Sequence, residues 1–271
     1  MKVIKAENMG FCFGVREALN KASAECKGTK LLGPIVHNKQ VIEDLLKRGI
    51  SVINNIDDVS NARVIVRAHG VPKSVYKCAA DKNIELIDCT CPNVKLIQEL
   101  SVNLEKEGYK IILFGEKEHP EVVSIASHLE KPVVIRQKSE LGGLTFKGNF
   151  ALLSQTTMPE NEFKSLESHL KKKIKNLKVY NTTCSATKLR QSSAALLAKK
   201  VDIMIIVGDI MSNNTVSLAR VCSPIVETKH IETASDIDDS WFNGKSIVGV
   251  SAGASTPDYV IDEVVEKIEK I

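Results

Sequence analysis

Short runs of Val, Ile and Leu alternate along the chain with longer segments in which apolar residues recur at the helical period. Such runs are typical of parallel strands buried on both faces, and the longer segments are typical of the helices that connect those strands. We therefore expect an α/β protein with parallel sheets and right-handed crossovers. The predicted strands cover residues 2–5, 31–36, 51–53, 64–67, 84–87, 110–114, 132–135, 151–154, 177–180, 203–207, 225–227 and 246–250.

The order of these strands repeats three times along the chain. Each of the first two thirds contains four predicted strands, whereas the last third contains three, and the N-terminal strand can supply its fourth. We therefore predict three similar α/β lobes in a pseudo-threefold cloverleaf around a central site. The predicted lobes cover residues 13–92, 93–183 and 184–271, and residues 1–12 complete the third. Because ligands bind beyond the carboxyl ends of parallel strands, the strand-end loops are expected to line that site.

A short motif recurs in the same threefold way. TCPNVKLIQ contains Cys91, TCSATKLRQ contains Cys184, and GFCFGVREAL, around Cys12, has arginine where the other copies have lysine. Each of these cysteines lies just before a predicted helix, whose first N–H groups and dipole stabilise a thiolate. Since the thiolate is the form that binds metal, we predict that Cys12, Cys91 and Cys184 are metal ligands.

The other four cysteines lack this context. Cys26 and Cys78 fall in helix-like segments and Cys222 lies beside a predicted strand, so we expect core or surface thiols at these positions. Cys89 remains open, because it forms a C-x-C pair with Cys91 and could compete as a ligand.

Three separated thiolates can hold two kinds of metal centre. With a histidine they would complete a structural zinc site, but such sites usually contain closely spaced cysteine pairs of the C-x2-C type. On a cubane [4Fe-4S] cluster they would leave one iron open, which favours catalysis. Two alternatives stay open at this point: a zinc-stabilised binding protein, and a thiol-dependent α/β enzyme with a nucleophilic cysteine.

Polar residues follow many of the predicted strands. His37, His69 and His119 lie in such loops, and Glu121 is the best-placed carboxylate for proton delivery, since a water-poor cavity raises a carboxyl pKa toward neutrality. Small hydrogen-bonding side chains occupy the remaining loops: Gln155, Thr156, Thr157, Ser212, Asn214 and Ser255. Neutral donors together with histidines suit an oxyanion such as diphosphate, although capping and turns use the same residue types.

The charge and composition restrict the class of partner. The chain has 37 Lys and Arg against 33 Asp and Glu, a mild excess that fits a small anion better than a nucleic acid, and 4% aromatic residues are too few for base stacking. The absence of Walker A and Rossmann fingerprints disfavours ATP and NAD. Neither a signal peptide nor a membrane span is apparent, and seven cysteines lack the spacing of a disulfide framework, so we expect a cytoplasmic protein with no membrane partner.

Nine short motifs occur in an order that resembles the 4-hydroxy-3-methylbut-2-enyl diphosphate reductases, a family of iron-sulfur enzymes. They are GFCFGV, VHN, RAHGVP, TCP, HPEV, SQTT, CSATKLRQ, SNNT and SAGASTPDYVI, and they span nearly the whole chain. The resemblance implies a cloverleaf of three α/β lobes around a [4Fe-4S] cluster. It also implies reductive removal of the allylic hydroxyl of the substrate, giving isopentenyl and dimethylallyl diphosphate in the last step of the non-mevalonate isoprenoid pathway.

The resemblance further implies roles for individual residues. Cys12, Cys91 and Cys184 would ligate iron, and Glu121, with Thr156, would relay protons beside the substrate hydroxyl. The residues implied to hold the small-molecule diphosphate substrate are His37, His69, His119, Thr156, Ser212, Asn214 and Ser255. The family also implies ferredoxin or flavodoxin as electron donor. Asn213 stands where many relatives have serine, and Cys89 lies outside the family pattern, so neither receives a role.

Overall fold

The predicted α/β organisation is confirmed by the computed structural model, which describes residues 1–142 and 145–271. The strands are β1 Lys2–Lys5, β2 Lys30–Leu32, β3 Ser51–Ile53, β4 Arg63–Val66, β5 Glu85–Asp88, β6 Tyr109–Phe114, β7 Val133–Ile135, β8 Asn149–Ser154, β9 Asn176–Val179, β10 Ile203–Val207, β11 Thr228–Ile231 and β12 Ile247–Ala252. The α-helices are α1 Phe13–Ser23, α2 Lys39–Lys47, α3 Lys73–Asp81, α4 Pro92–Lys106, α5 Pro120–Ala126, α6 Glu160–Lys171, α7 Ser185–Ala198, α8 Asn213–Cys222 and α9 Asp258–Glu269.

These strands form three four-stranded sheets within the described residues, and every neighbouring pair is parallel. The first sheet has the order β3-β2-β4-β5, the second β7-β6-β8-β9 and the third β1-β12-β10-β11. The N-terminal strand thus completes the third sheet as predicted, because Lys2 to Lys5 pair in register with Ile247 to Val250.

The described residues fall into two compact units. The smaller unit comprises Met1–Arg16, Val36–Glu43 and Ser185–Ile271 and contains the third sheet. The larger unit comprises Glu17–Ile35 and Asp44–Cys184 and contains the first and second sheets. Three sheets match the predicted number of lobes, whereas the bounds of the three lobes and their cloverleaf arrangement stay predictions.

Strand β6 shows why apolar residues follow one another without interruption in a buried strand. Ile112 and Phe114 pack on one face of the second sheet against apolar residues of α6, whereas Ile111 and Leu113 pack on the other face against α4 and α5. All four side chains are at most 2% exposed. Successive strand residues point to opposite faces, so a strand covered by helices on both sides must be apolar at every position.

Two strand predictions were wrong. The strand predicted at residues 31–36 ends at Leu32, because Gly33 adopts the left-handed conformation (φ +68°) and Pro34 has no N–H for a ladder. The strand predicted at 225–227 begins at Thr228, since the Cys222 carbonyl accepts hydrogen bonds from the N–H groups of residues 225 and 226, which keeps the backbone turning there.

Candidate functional site

Cys91 and Cys184, both in the larger unit, begin helices as predicted. Cys91 is the N-cap of α4, with Pro92 in the first turn, and its N–H donates to the Ala68 carbonyl at 2.9 Å. Cys184 directly precedes α7, and its N–H donates to the Thr156 carbonyl at 2.9 Å. Each sulfur is therefore held on a short backbone segment anchored to the end of a neighbouring strand.

The start of α4 also contacts the sulfur of Cys184. The Asn93 amide Nδ2 donates a hydrogen bond to Cys184 Sγ at 3.1 Å. The first turn of one cysteine-bearing helix thus contacts the second cysteine, 91 residues further along the chain. This contact could not be predicted from the sequence, because it joins residues far apart in the chain and the repeated motif has alanine, not asparagine, at this position in its other copy.

Glu121 and Thr156 form a buried polar pair in the larger unit. Glu121 is 2% exposed, and its two carboxyl oxygens lie 2.7 Å from the backbone N and the hydroxyl Oγ1 of Thr156. Burial raises the pKa of Glu121 from its usual 4.5 to about 7, although both hydrogen bonds from Thr156 act in the opposite direction by favouring the carboxylate. Near neutral pH this side chain can therefore both hold and release a proton.

Thr156 links this carboxyl group to the Cys184 segment. Its N–H donates to Glu121, and its carbonyl accepts the Cys184 N–H. Glu121 follows β6 and Thr156 follows β8, and these strands are neighbours in the second sheet. The Glu121 carboxyl group and the backbone of Cys184, a predicted metal ligand, are therefore both hydrogen-bonded to Thr156.

His119 and His69 lie next to each other in the larger unit. His119 is the N-cap of α5, and its Nδ1 accepts the Glu121 N–H at 3.1 Å, so in the neutral ring the proton is on Nε2. The His69 ring meets the His119 ring edge to face, with 5.2 Å between centroids. Two of the three predicted anion-binding histidines are thus adjacent.

In the smaller unit, the loop after β12 connects several predicted residues. The Ala254 carbonyl accepts the Cys12 N–H at 3.3 Å. The Ser255 hydroxyl donates to the backbone carbonyl of His37 at 3.0 Å and lies 3.3 Å from the Ser212 hydroxyl. The positions of Cys12, Ser212 and Ser255 and the backbone of His37 are therefore set by one loop.

The first turn of α8 contains buried polar atoms that lack hydrogen-bond partners in the described part of the chain. They are Asn213 Nδ2, Asn214 Oδ1 and Thr215 Oγ1. Asn214 is 9% exposed and Ser212, the N-cap of the same helix, is 4% exposed. Because buried polar groups are normally paired, two amides at a helix N-terminus fit a site that receives a polar ligand.

The backbone before Cys12 is held by Arg190, which is 6% exposed. Its Nη2 and Nε donate to the Gly10 carbonyl at 2.6 and 3.2 Å. Gly10 has φ +70°, and a Cβ there would lie 2.9 Å from an Asp258 carboxyl oxygen, so only glycine fits without strain. Sequence reasoning missed Arg190, although a charged residue at the position of Ile97 in the other motif copy was a signal for a specific buried partner.

We expect Arg190→Met to lower the free energy of unfolding by about 1.5–3 kcal/mol, the usual range for a hydrogen bond that involves a charged group. Methionine keeps much of the packing but leaves the buried Gly10 carbonyl without its donor. Urea unfolding measures the difference. The control is Arg220→Met, an exposed arginine of α8, and an equal effect of both substitutions would contradict the role of Arg190.

The repeated motif ends in glutamine for a structural reason. Gln98 Nε2 donates to the Ser124 hydroxyl at 2.8 Å, and Gln191 Nε2 donates to the Ser217 hydroxyl at 2.9 Å. Each glutamine joins the helix that follows a cysteine to the next helix beside it on the same sheet, α4 to α5 and α7 to α8. The repeat therefore preserves helix packing as well as the cysteine.

Three of the remaining cysteines are occupied by other contacts or buried. Cys89 and Cys222 are at most 2% exposed, and burial raises the pKa of each thiol to about 11, so both keep their protons near pH 7. Cys78 in α3 donates to an Asp57 carboxyl oxygen at 3.3 Å. Two of these cysteines lie in other elements than predicted. Cys26 lies in the segment after α1 instead of in a helix, and Cys222 is the last residue of α8 instead of lying beside a strand.

Taken one by one, Cys12, Cys91 and Cys184 have the surroundings of iron-sulfur ligands. All three thiols are partly exposed, each precedes a helix, and the Cys184 sulfur already accepts an N–H hydrogen bond, as cluster thiolates do.

None of the helices in residues 1–142 and 145–271 has the length and apolar content to cross a membrane.

Comparisons with known proteins show the family to which the chain belongs. The LytB protein family matches residues 3–269. The 4-hydroxy-3-methylbut-2-enyl diphosphate reductase of Alkaliphilus oremlandii is 40% identical over the full length of both chains. That of Trichlorobacter lovleyi is 41% identical, over 100% of this chain and 99% of its own.

Two solved structures are also similar. The structure of (E)-4-hydroxy-3-methyl-but-2-enyl diphosphate reductase, the terminal enzyme of the non-mevalonate pathway, is 38% identical with a TM-score of 0.72 and full coverage of both chains. The E-1-hydroxy-2-methyl-but-2-enyl-4-diphosphate reductase of Plasmodium falciparum is 25% identical with a TM-score of 0.94, covering 98% of this chain and 87% of its own. The chain therefore belongs to the LytB protein family, whose matching relatives are named 4-hydroxy-3-methylbut-2-enyl diphosphate reductases.

Proposed function

We propose that this chain is the reductase of its family, acting on 4-hydroxy-3-methylbut-2-enyl diphosphate in the last step of the non-mevalonate isoprenoid pathway. The substrate takes up two electrons and two protons. The allylic C–O bond breaks, the oxygen leaves as water after receiving one proton, and the carbon skeleton receives the other. Protonation at either end of the allyl group gives isopentenyl or dimethylallyl diphosphate. The observation that carries the proposal is the buried Glu121 carboxyl, which Thr156 ties to the Cys184 segment.

The proposed cofactor is a [4Fe-4S] cluster held by Cys12, Cys91 and Cys184. When bound, the cluster supplies the electrons, and an iron with no protein ligand supplies Lewis acidity. The donor chemistry of these cysteines supports this assignment, since each lies at a helix N-terminus, where thiolates are favoured. Cys89 takes no part, because its side chain is buried and it lies outside the repeated motif.

The proposed diphosphate ligands are His37, His69, His119, Ser212, Asn214 and Ser255. In the neutral ring of His119 the donor is Nε2–H, because Nδ1 is an acceptor. The buried Asn214 amide and the Ser212 hydroxyl add neutral donors, and Ser255 adds a third when its hydroxyl turns from the His37 carbonyl to the oxyanion.

Glu121 and Thr156 are proposed to move the proton. With its raised pKa, Glu121 can hold a proton at neutral pH and donate it through the Oε2–Oγ1 contact of 2.7 Å. The Thr156 hydroxyl can accept that proton and pass its own to the departing hydroxyl of the substrate.

The proposed electron donor is ferredoxin or flavodoxin, and the proposed location is the cytoplasm. Both remain predictions.

The rate of turnover is expected to fall as the pH rises through about 7, because Glu121 then loses the proton that the reaction consumes. Infrared spectroscopy checks the group itself. A carboxylic C=O band should disappear with a midpoint near pH 7 in the wild type and should be missing in Glu121→Gln. A Glu121 band that titrates near pH 4.5, the usual value for glutamate, would contradict this expectation.

The function is tested by turnover of the substrate with cluster-loaded protein and an artificial reductant under anaerobic conditions. We expect both isoprenyl diphosphates as products. A protein that stays colourless and free of iron after anaerobic reconstitution would contradict the proposal and favour the zinc or thiol alternative.

A further inference from the structure

The Asn93 side chain lies where it can modify the electronic properties of Cys184. It stands in the first turn of α4, and its Nδ2 is 3.1 Å from Cys184 Sγ. The side chain is exposed, and this is its one hydrogen bond described for residues 1–142 and 145–271. No helix cap or turn is held by the amide, so its contact with the sulfur is not a by-product of local structure.

A hydrogen bond to a ligating sulfur changes the reduction potential of an iron-sulfur cluster. Reduction adds negative charge, part of which lies on the cysteine sulfurs, and an N–H donor stabilises the more negative state more strongly. The donor therefore makes the cluster easier to reduce. Solvent exposure weakens this effect without removing it, because the donor is in direct contact with the sulfur.

We propose that Asn93 is a positioning residue that acts through Cys184: its amide fixes the ligating sulfur and raises the reduction potential of the cluster. The inference rests on the proposed function, since it requires a cluster on Cys184. It goes beyond that function because it gives Asn93, which is outside the proposed substrate ligands, control over how readily electrons enter the cluster.

The test is a redox titration of cluster-loaded wild type, Asn93→Ala and Asn93→Asp, followed by electron paramagnetic resonance. Loss of the donor in Asn93→Ala should lower the ratio of reduced to oxidised cluster about tenfold at a fixed potential, which corresponds to about 59 mV for one electron. Asn93→Asp should lower it further, because a carboxylate cannot donate and adds negative charge. The fold should tolerate this aspartate, since an acid near a helix N-terminus is favourable.

The matched control is Asn103→Asp, which makes the same charge change on the exposed surface of α4, ten residues further along. Its potential should equal that of the wild type. Potentials for Asn93→Ala and Asn93→Asp equal to the control, with iron and sulfide intact, would overturn this inference alone. A wild type that assembles no cluster would overturn the proposed function and this inference with it.

Discussion

Glu121→Gln is expected to reduce turnover by about two to four orders of magnitude while the protein keeps its iron and sulfide, which is the usual effect of removing a general acid. Glutamine has nearly the same shape as glutamic acid and can still accept the Thr156 N–H. It cannot release a proton, so the fold and the cluster should remain while proton transfer to the leaving oxygen is lost.

The measurement is steady-state turnover with an artificial reductant, alongside iron and sulfide analysis. Glu130→Gln serves as the control, because Glu130 is an exposed glutamate outside α5 in the same unit. Near-normal turnover of Glu121→Gln would rule out the proton-donor role. A loss of iron in this variant would show that Glu121 supports the cluster instead.

Cys91→Ser is expected to abolish stable cluster retention, whereas Cys78→Ser should leave it unchanged. Serine is a harder ligand and rarely ionises at neutral pH, so the cluster would have two protein thiolates in place of three. Cys78 is partly buried and donates to Asp57, but it lies outside the proposed donor set. Iron and sulfide content per chain, measured after anaerobic reconstitution and gel filtration, gives the result. Equal iron content in both variants would refute the ligand assignment.

Most of the fold could be predicted from the sequence, because the central strands are buried on both faces. The strand at residues 203–207 has the predicted bounds, since all five of its residues are apolar and buried, and the edge strand at 51–53 has them too. The strand predicted to end at residue 36 was wrong for a local reason: Gly33 and Pro34 stop the ladder despite the apolar residues that follow. Apolar content indicates burial, whereas hydrogen-bonding capacity decides where a strand ends.

The proximity of Glu121 and Thr156 was predictable in outline. Both follow strands, and β6 and β8 are neighbours in the second sheet, so their loops emerge at the same edge. The identities of the residues that Asn93 and Arg190 contact were not predictable, because each side chain reaches a residue distant in sequence. No periodic pattern encodes such contacts, which depend on how whole elements pack.

Anomalous diffraction at the iron edge, from crystals of the anaerobically reconstituted protein, tests the central claim most directly. We predict iron bonded to the sulfurs of Cys12, Cys91 and Cys184 in one cluster, with one iron that no protein side chain ligates. Iron bound elsewhere, or a metal ligated by four protein side chains, would contradict the account.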